Sequence, residues 1–362
     1  MGLGIFDCNN AFNERFVSDY MSILSEFHPF FGNGVFSTDK IMELIKAGDI
    51  SWEDLTEEQI QPNTIDVRIG EVRVYNCNSR QVSPDKVEPD AVYAGEKDEP
   101  IVIPSRSFAE IDVYDKIRFD SDKYIMDIEL RSGRGRLQLT PSANMNFMNV
   151  GMGNGMNVFN MNPNDIVLYG QDRFAQAFFN SSNGTSADGQ IINNPDEIRA
   201  IAERCGVGNI GPYLKLMPGK KILKYKEIGG IDTRKKYSHE ELFEERGLPY
   251  RIGSCEQVLM QSAEEINVPN NIGVRLLRRF PTIQQSCLTG PDIRVFTPLR
   301  FVVNSGWVDS GYKGKIMMQP LARLECILGE IEPTCLGIVY KYDKDISKPY
   351  DGNYTGGKIL NS

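Results

Sequence analysis

Short runs in which apolar and polar residues alternate recur along most of the chain, and they predict strands in far greater number than helices. The first group lies at 65–75, 101–103, 108–113, 124–130, 166–169 and 174–179, and a second at 222–225, 256–262, 272–277, 293–303, 315–318 and 337–342. Gly, Pro, Asn and Asp separate these runs, as in barrels and sandwiches of short strands. Helical spacing is confined to the first 60 or so residues, clearest at 37–46 behind an Asp or Thr cap, and to 195–205.

This patterning divides the chain into an N-terminal helical segment (1–60), a β domain (61–180), a connector (181–219) rich in Asn, Ser, Gly and Pro, a second β domain (220–345), and a tail or lid (346–362). Residues 99–113 echo residues 250–269: in each, a turn leads into a strand that ends near an acid and a β-branched residue. A self-similarity at a spacing of about 150 residues points to a duplicated domain, since solenoid periods are much shorter. Between 145 and 164, Asn, Met and Gly dominate, which permits either a flexible loop or an ordered Asn-rich turn.

Charge and rare residues then exclude much chemistry. The 362-residue chain has a net charge of −9, so a nucleic-acid track held by bulk positive charge is not expected, and any phosphate contact must come from a local cluster of Arg or Lys. Seven cysteines without a CxxC pair read as reduced thiols in a cytoplasmic protein. No apolar run reaches the ~18 residues of a membrane span, and residues 1–13 lack a basic start followed by an apolar core, so a soluble, unexported protein is expected. Of the two histidines, His28 and His239, only the latter neighbours a glutamate, and the cysteine pair that a zinc nucleobase deaminase requires is missing. The polar run around His239, 237–246, reads as a solvated helix, and neither histidine sits beside a nucleophile signature.

Two clusters carry chemistry. The stretch 304–318 places Asp309 and Tyr312 on a turn built with Gly306, Gly311 and Gly314. A planar ligand can lie between its backbone and Tyr312 with Asp309 in reach, or the stretch is an ordinary hairpin with a surface Asp. In 129–139, Arg131, Arg134 and Arg136 stand with Ser132 and two glycines. Guanidinium forks and freed backbone N–H groups suit phosphate oxygens, while the alternative is a solvated edge or a salt-bridge partner for Asp127 and Glu129. Three further segments accompany them: a strand opened by a Pro turn at 60–70, Gln171, Arg173 and Gln176 ahead of an apolar strand end, and a glycine-rich terminus at 348–362 that reads as a disordered tail or a closing lid.

In this order the segments resemble the dCTP deaminases of the trimeric dUTPase superfamily. Residues 60–70 are similar to the opening strand motif, Arg131-Ser132 with Arg136 to the triphosphate motif, 170–179 to the late glutamine motif, 306–316 to the sugar- and base-binding hairpin, and 350–362 to the closing tail. Spread over nearly the whole chain, they look like the double-length deaminases, which implies two fused dUTPase-like β-barrel (β-clip) domains with short helices. The resemblance further implies a composite site between the two halves, in a homo-oligomer that is a trimer or pseudo-trimeric assembly. There Arg131, Ser132 and Arg136 meet the triphosphate of dCTP or dUTP with Mg2+ bridging its oxygens, and no zinc takes part. Gln176, Trp307, Asp309, Tyr312 and Tyr354 line the remainder. The family's deaminases use a glutamate on the strand after the hairpin to move protons during attack of water on the amino-bearing ring carbon. That position is Gln319 here, and a glutamine takes no proton from water. The matching place in the first half falls at Asn160 and Asn162, and Glu325 lies six residues beyond Gln319. The implied activity is zinc-independent deamination of dCTP to dUTP and ammonia. The rivals are dUTP hydrolysis to dUMP and pyrophosphate by way of the hairpin aspartate, and a catalytically degenerate nucleotide-binding or structural trimer.

Overall fold

The computed structural model describes residues 34–76, 88–120, 122–141, 147–148, 155–182, 185–276, 301–303, 306–322, 325–328 and 335–352. Helix α1 (Thr38–Ala47) begins where the Ser37 side chain accepts from the Lys40 N–H and stops at Gly48, whose φ of 83° only glycine adopts at low cost. The strands that follow in the first half are β1 (Ile65–Tyr75), β2 (Pro100–Ile103), β3 (Phe108–Val113) and β4 (Tyr124–Leu130). After the short helix α2 (Ser132–Arg136) come β5 (Gly155–Asn160), β6 (Asp165–Tyr169) and β7 (Arg173–Ser181). β7 lies antiparallel between β1 and β4, β3 lies between β1 and β5, and β2 pairs with β6. The alternation seen in the sequence sends Val72 and Val74, Ala109 and Ile111, and Met126 and Ile128 into one core.

The second half holds α3 (Pro195–Cys205), β8 (Tyr213–Leu216), β9 (Pro218–Tyr225), α4 (His239–Leu242), β10 (Phe243–Gly247), β11 (Tyr250–Ile252) and β12 (Leu259–Asn267). It closes with β13 (Ile272–Leu276), β14 (Gly306–Val308), β15 (Lys313–Met318), β16 (Cys326–Leu328) and β17 (Cys335–Tyr342). Its pairing scheme repeats that of the first half. β17 lies between β8 and β13 as β7 does between β1 and β4, β12 lies between β9 and β15 as β3 does between β1 and β5, and β11 pairs with β16 as β2 does with β6. A second core forms around Ile201, Leu216, Val258, Val274 and Val339.

A third apolar cluster joins the halves: Phe178 of β7 meets Trp307 of β14 with ring centroids 5.6 Å apart, and Trp307 meets Tyr340 of β17 at 5.2 Å. Beside it Arg275 of β13 is buried against Asp127 (2.6 Å) and Glu129 (2.8 Å) of β4, with its guanidinium 4.7 Å over the Phe178 ring. A buried arginine on two carboxylates is costly to desolvate, and the geometry that repays the cost exists only when both halves are in place.

Several sequence expectations change. The run 237–246 is no continuous helix: Ser238 and Glu241 form a capping box around a single turn, after which Phe243 enters β10 and packs 4.6 Å from Tyr225. The strand expected at 256–262 is displaced, since Glu256 accepts from the Gly253 N–H in a turn and β12 begins at Leu259. Residues 189–216, within the stretch read as a connector, supply α3 and strands that pair with β17. In the Asn-rich stretch the described part, 155–164, is ordered: Asn162 N–H donates to Asn160 Oδ1, Asn164 N–H donates to Asn162 Oδ1, and Asn164 reaches Lys226 O and Ile228 N–H of the second half. Residues 1–33, 142–146, 149–154, 277–300 and 353–362 lie outside the described residues. Among the described residues no helix is long and apolar enough to cross a membrane.

Candidate active site

A cleft of about 690 Å3 opens between the halves, lined on one side by α2 and on the other by residues of the 306–319 hairpin. α2 is held there from both ends. Arg131 N–H returns to Phe174 O of β7, while beyond the helix Leu137 and Leu139 enter the core and Gln138 turns the chain at a φ of 62°. Its side chains fan out differently. Arg131 Nε lies 3.2 Å from Asp66, Arg134 lies 3.6 Å from Asp172, and Arg136 is buried with its carbonyl accepting from the Tyr225 hydroxyl at 2.9 Å. Ser132 is exposed on the cleft wall. Asp127 and Glu129, the carboxylates nearest to the cluster in the sequence, are engaged by Arg275 of the second half. Arg173 also approaches Asp66, at 3.4 Å, and Gln176 lines the cleft while its amide donates to Thr64 Oγ1 at 3.0 Å.

The opposing hairpin is buried, which sets aside the reading of a surface Asp. Asp309 is 6 % exposed and Ser310 0 %. Asn63 of the first half accepts the Ser310 N–H at 2.7 Å, so the turn is pinned across the junction. Gly311 sits at a φ of 83°, and a Cβ on it would meet Pro349 Cβ at 2.7 Å, because the returning tail crosses close by and its Tyr350 N–H donates to Ser310 O. Tyr312 donates to Lys315 O at 2.7 Å and packs against Tyr350 with ring centroids 5.3 Å apart.

Electrostatics mark Asp309 further. Burial first, and the Asp66 carboxylate second, push it up to about 7, against the pull of the Asn63 backbone N–H and of Arg131. Asp66 is itself pushed up to about 6 by burial, opposed by Arg131, Arg173 and Arg134. Asp309 Oδ1 meets no hydrogen-bond donor among the described residues. A buried acid poised near neutrality on a cleft wall is matched to proton transfer.

Gln319, 6 % exposed, follows β15 opposite α2, and a Cβ on Gly135 would stand 3.4 Å from its side-chain oxygen. Gln257 braces this contact: its amide donates to Gln319 O at 3.3 Å, its carbonyl accepts from Gln138 Nε2 at 2.6 Å, and its Oε1 accepts from Thr140 at 3.1 Å. Neither Gln257 nor Gln138 stood out in the sequence, nor did Asn63 or Asp66 beyond their place in 60–70. Trp307 reaches the cleft while stacked between Phe178 and Tyr340. Asn160 and Asn162 belong to the amide network and do not line the cleft, Glu325 pairs with Arg251 on the surface, and Tyr354 lies outside the described residues. His239 faces Glu245 at 3.2 Å on β10, apart from the cleft lining. Eight arginines and lysines line the cleft against four carboxylates, an inversion of the chain's net charge of −9 that suits a polyanionic ligand.

Comparisons with known proteins agree with this architecture. Residues 35–182 match the family model described as dCTP deaminase-like. A dCTP deaminase of Caldivirga maquilingensis is 29% identical over 92 residues, which are 24% of this chain and 51% of that protein. The chain thus spans about half the length of the curated relative it matches. The crystal structure of 2'-deoxycytidine 5'-triphosphate deaminase from Agrobacterium tumefaciens superposes with a TM-score of 0.62 at 15% identity, covering 88% of this chain and 99% of that one, a likeness of fold. Together they give residues 35–182 a likeness to the dCTP deaminase-like family and most of the chain a likeness of fold to a dCTP deaminase, in keeping with its mainly β architecture.

Proposed function

We propose that the cleft binds a pyrimidine deoxynucleoside triphosphate and that the chain deaminates dCTP to dUTP and ammonia without zinc. The observation that carries this reading is the opposition, across one cation-rich cleft, of the α2 arginines from one half and the buried Asp309 and Tyr312 from the other. Arg131, Ser132 and Arg136 hold the phosphates through charge-assisted hydrogen bonds, the nucleotide entering as its Mg2+ complex. Tyr312, Trp307 and Gln176 wall the sugar and base. Water adds to the amino-bearing ring carbon and gives one proton to Asp309, which passes it to the adjacent ring nitrogen; Asp309 then takes the remaining hydroxyl proton and passes it to the leaving amine, so that ammonia departs and the oxo ring of dUTP remains. Gln319 orients the ring or the water by its amide and takes no proton. The assembly is a homotrimer or a pseudo-trimer.

Gln319 in place of a carboxylate favours a second reading, in which Asp309 directs water to the α-phosphate of dUTP and releases dUMP and pyrophosphate. Incubation with each nucleotide separates the two: ammonia from dCTP supports deamination, pyrophosphate from dUTP supports hydrolysis, and neither product leaves a binding or structural protein. Arg136→Ala is expected to weaken dCTP affinity roughly 10- to 100-fold, the range of a lost charge-assisted contact. Unchanged affinity by calorimetry would remove Arg136 from the site.

A further inference from the structure

Residues 231–237 belong to the second half, yet they are held at the mouth of the cleft. The strand Gly230–Asp232 lies parallel to β6, pairing Ile231 with Ile166 and Asp232 with Val167, and so delivers Arg234, Lys235 and Lys236 to the rim. The segment is braced on three sides. The Tyr169 hydroxyl donates to Asp232 at 3.1 Å, the Arg234 guanidinium lies 3.9 Å over the Tyr169 ring, and Arg234 Nη2 donates to Asp172 at 2.9 Å. Asp172 also faces Arg134 of α2 at 3.6 Å, so one carboxylate yokes this segment to the arginine cluster.

These contacts set an order across the cleft. Gly135 of α2 faces Gln319 of the hairpin strand, Arg134 faces Asp172, and Asp172 faces Arg234. A ligand whose base lies at the hairpin and whose inner phosphates lie on α2 therefore runs outward toward 234–236. Arg234 is committed to Asp172 and, at 2.6 Å, to Asp98. The two lysines beside it project into water: the Lys235 side chain is 70% exposed with Asp232 3.8 Å away, and Lys236 is exposed on the cleft lining. An ammonium group is a compact point charge on a flexible stem, and with the Arg234 fork already occupied the two lysines are the cations at this edge left to reach the end of a phosphate chain.

We infer that Lys235 and Lys236 form a terminal-phosphate subsite that makes the cleft select nucleoside triphosphates over shorter nucleotides. This rests on the nucleotide reading above. The test is calorimetric binding of dCTP, dCDP and dCMP to the full chain, to K235A/K236A and to K235E/K236E. The alanine pair is expected to weaken dCTP about tenfold, in keeping with two lost charge-assisted contacts at an exposed rim, and to leave dCMP within about twofold. The glutamate pair is expected to weaken dCTP further. If the unaltered chain binds dCTP and both variants bind it equally well, the subsite is overturned while the nucleotide reading stands. Equal losses for all three nucleotides also overturn it, because the lysines would then act as a general field. If the unaltered chain binds none of the three, both readings fall together.

Discussion

Asp309 is an acid held where its charge is hard to keep, and that gives it a pH signature. Its pKa, pushed up to about 7 by burial and by Asp66, means that the folded chain holds a proton there which the unfolded chain has released. The stability contributed by this group is fully present below the ordinary carboxylate value and is lost as pH rises through about 7. Thermal melts are expected to show Asp309→Asn flattening that decline between pH 5 and 8. If Asp309 accepts the proton of the attacking water, activity rises over the same interval with a midpoint near 7, and Asp309→Asn lowers kcat by ~10²–10⁴-fold, the usual range for a positioned base. A rate that falls as Asp309 ionises would assign it the opposite role. Gln319 is 6 % exposed just after β15, and Gln319→Glu, which places a carboxylate there, is expected to increase ammonia release from dCTP by about tenfold or more. No gain would count against the place of Gln319 beside the reacting ring.

At the level of elements, the hairpin and the tail hold each other, and one glycine is the joint. Gly311 adopts a φ of 83° and leaves no room for a methyl group beside Pro349. Gly311→Ala is expected to cost about 1–3 kcal/mol from backbone strain and the clash, and to expose 348–352 to proteolysis. Equal protection of that segment in the variant would separate the tail from the turn. The strands at 65–75, 108–113 and 124–130 and the helix at 195–205 were legible because alternation and caps are local signals. β10 was not, since Leu242 and Phe243 are adjacent apolar residues in a polar run and mark no period. Likewise, the glycine-rich turn and the arginine cluster declared themselves locally. Their opposition was reached only through the family resemblance, and the link from Gln138 through Gln257 to Gln319, whose partners lie 119 and 62 residues apart, left no local sign at all.

At the scale of the molecule, the cleft exists only because the halves are locked, and the lock is partly electrostatic. Burial opposes the charge on Arg275, yet Glu129 and Asp127 together hold it more firmly protonated than an ordinary arginine. Arg275→Met would strand two carboxylates at the junction, and breaking a buried ion pair in this way costs about 3–5 kcal/mol. Denaturant melts are expected to show a loss of that size, with dCTP affinity falling as well, since α2 and the hairpin enter the cleft from opposite sides of the junction. A triple variant, Arg275→Met with Asp127→Asn and Glu129→Gln, removes the stranded charge and is expected to regain most of the stability. If it also regains dCTP binding, the triad serves only to join the halves. If stability returns without binding, the triad also sets the angle at which Asp309 faces the arginines, and the junction of the two halves is then itself part of the site.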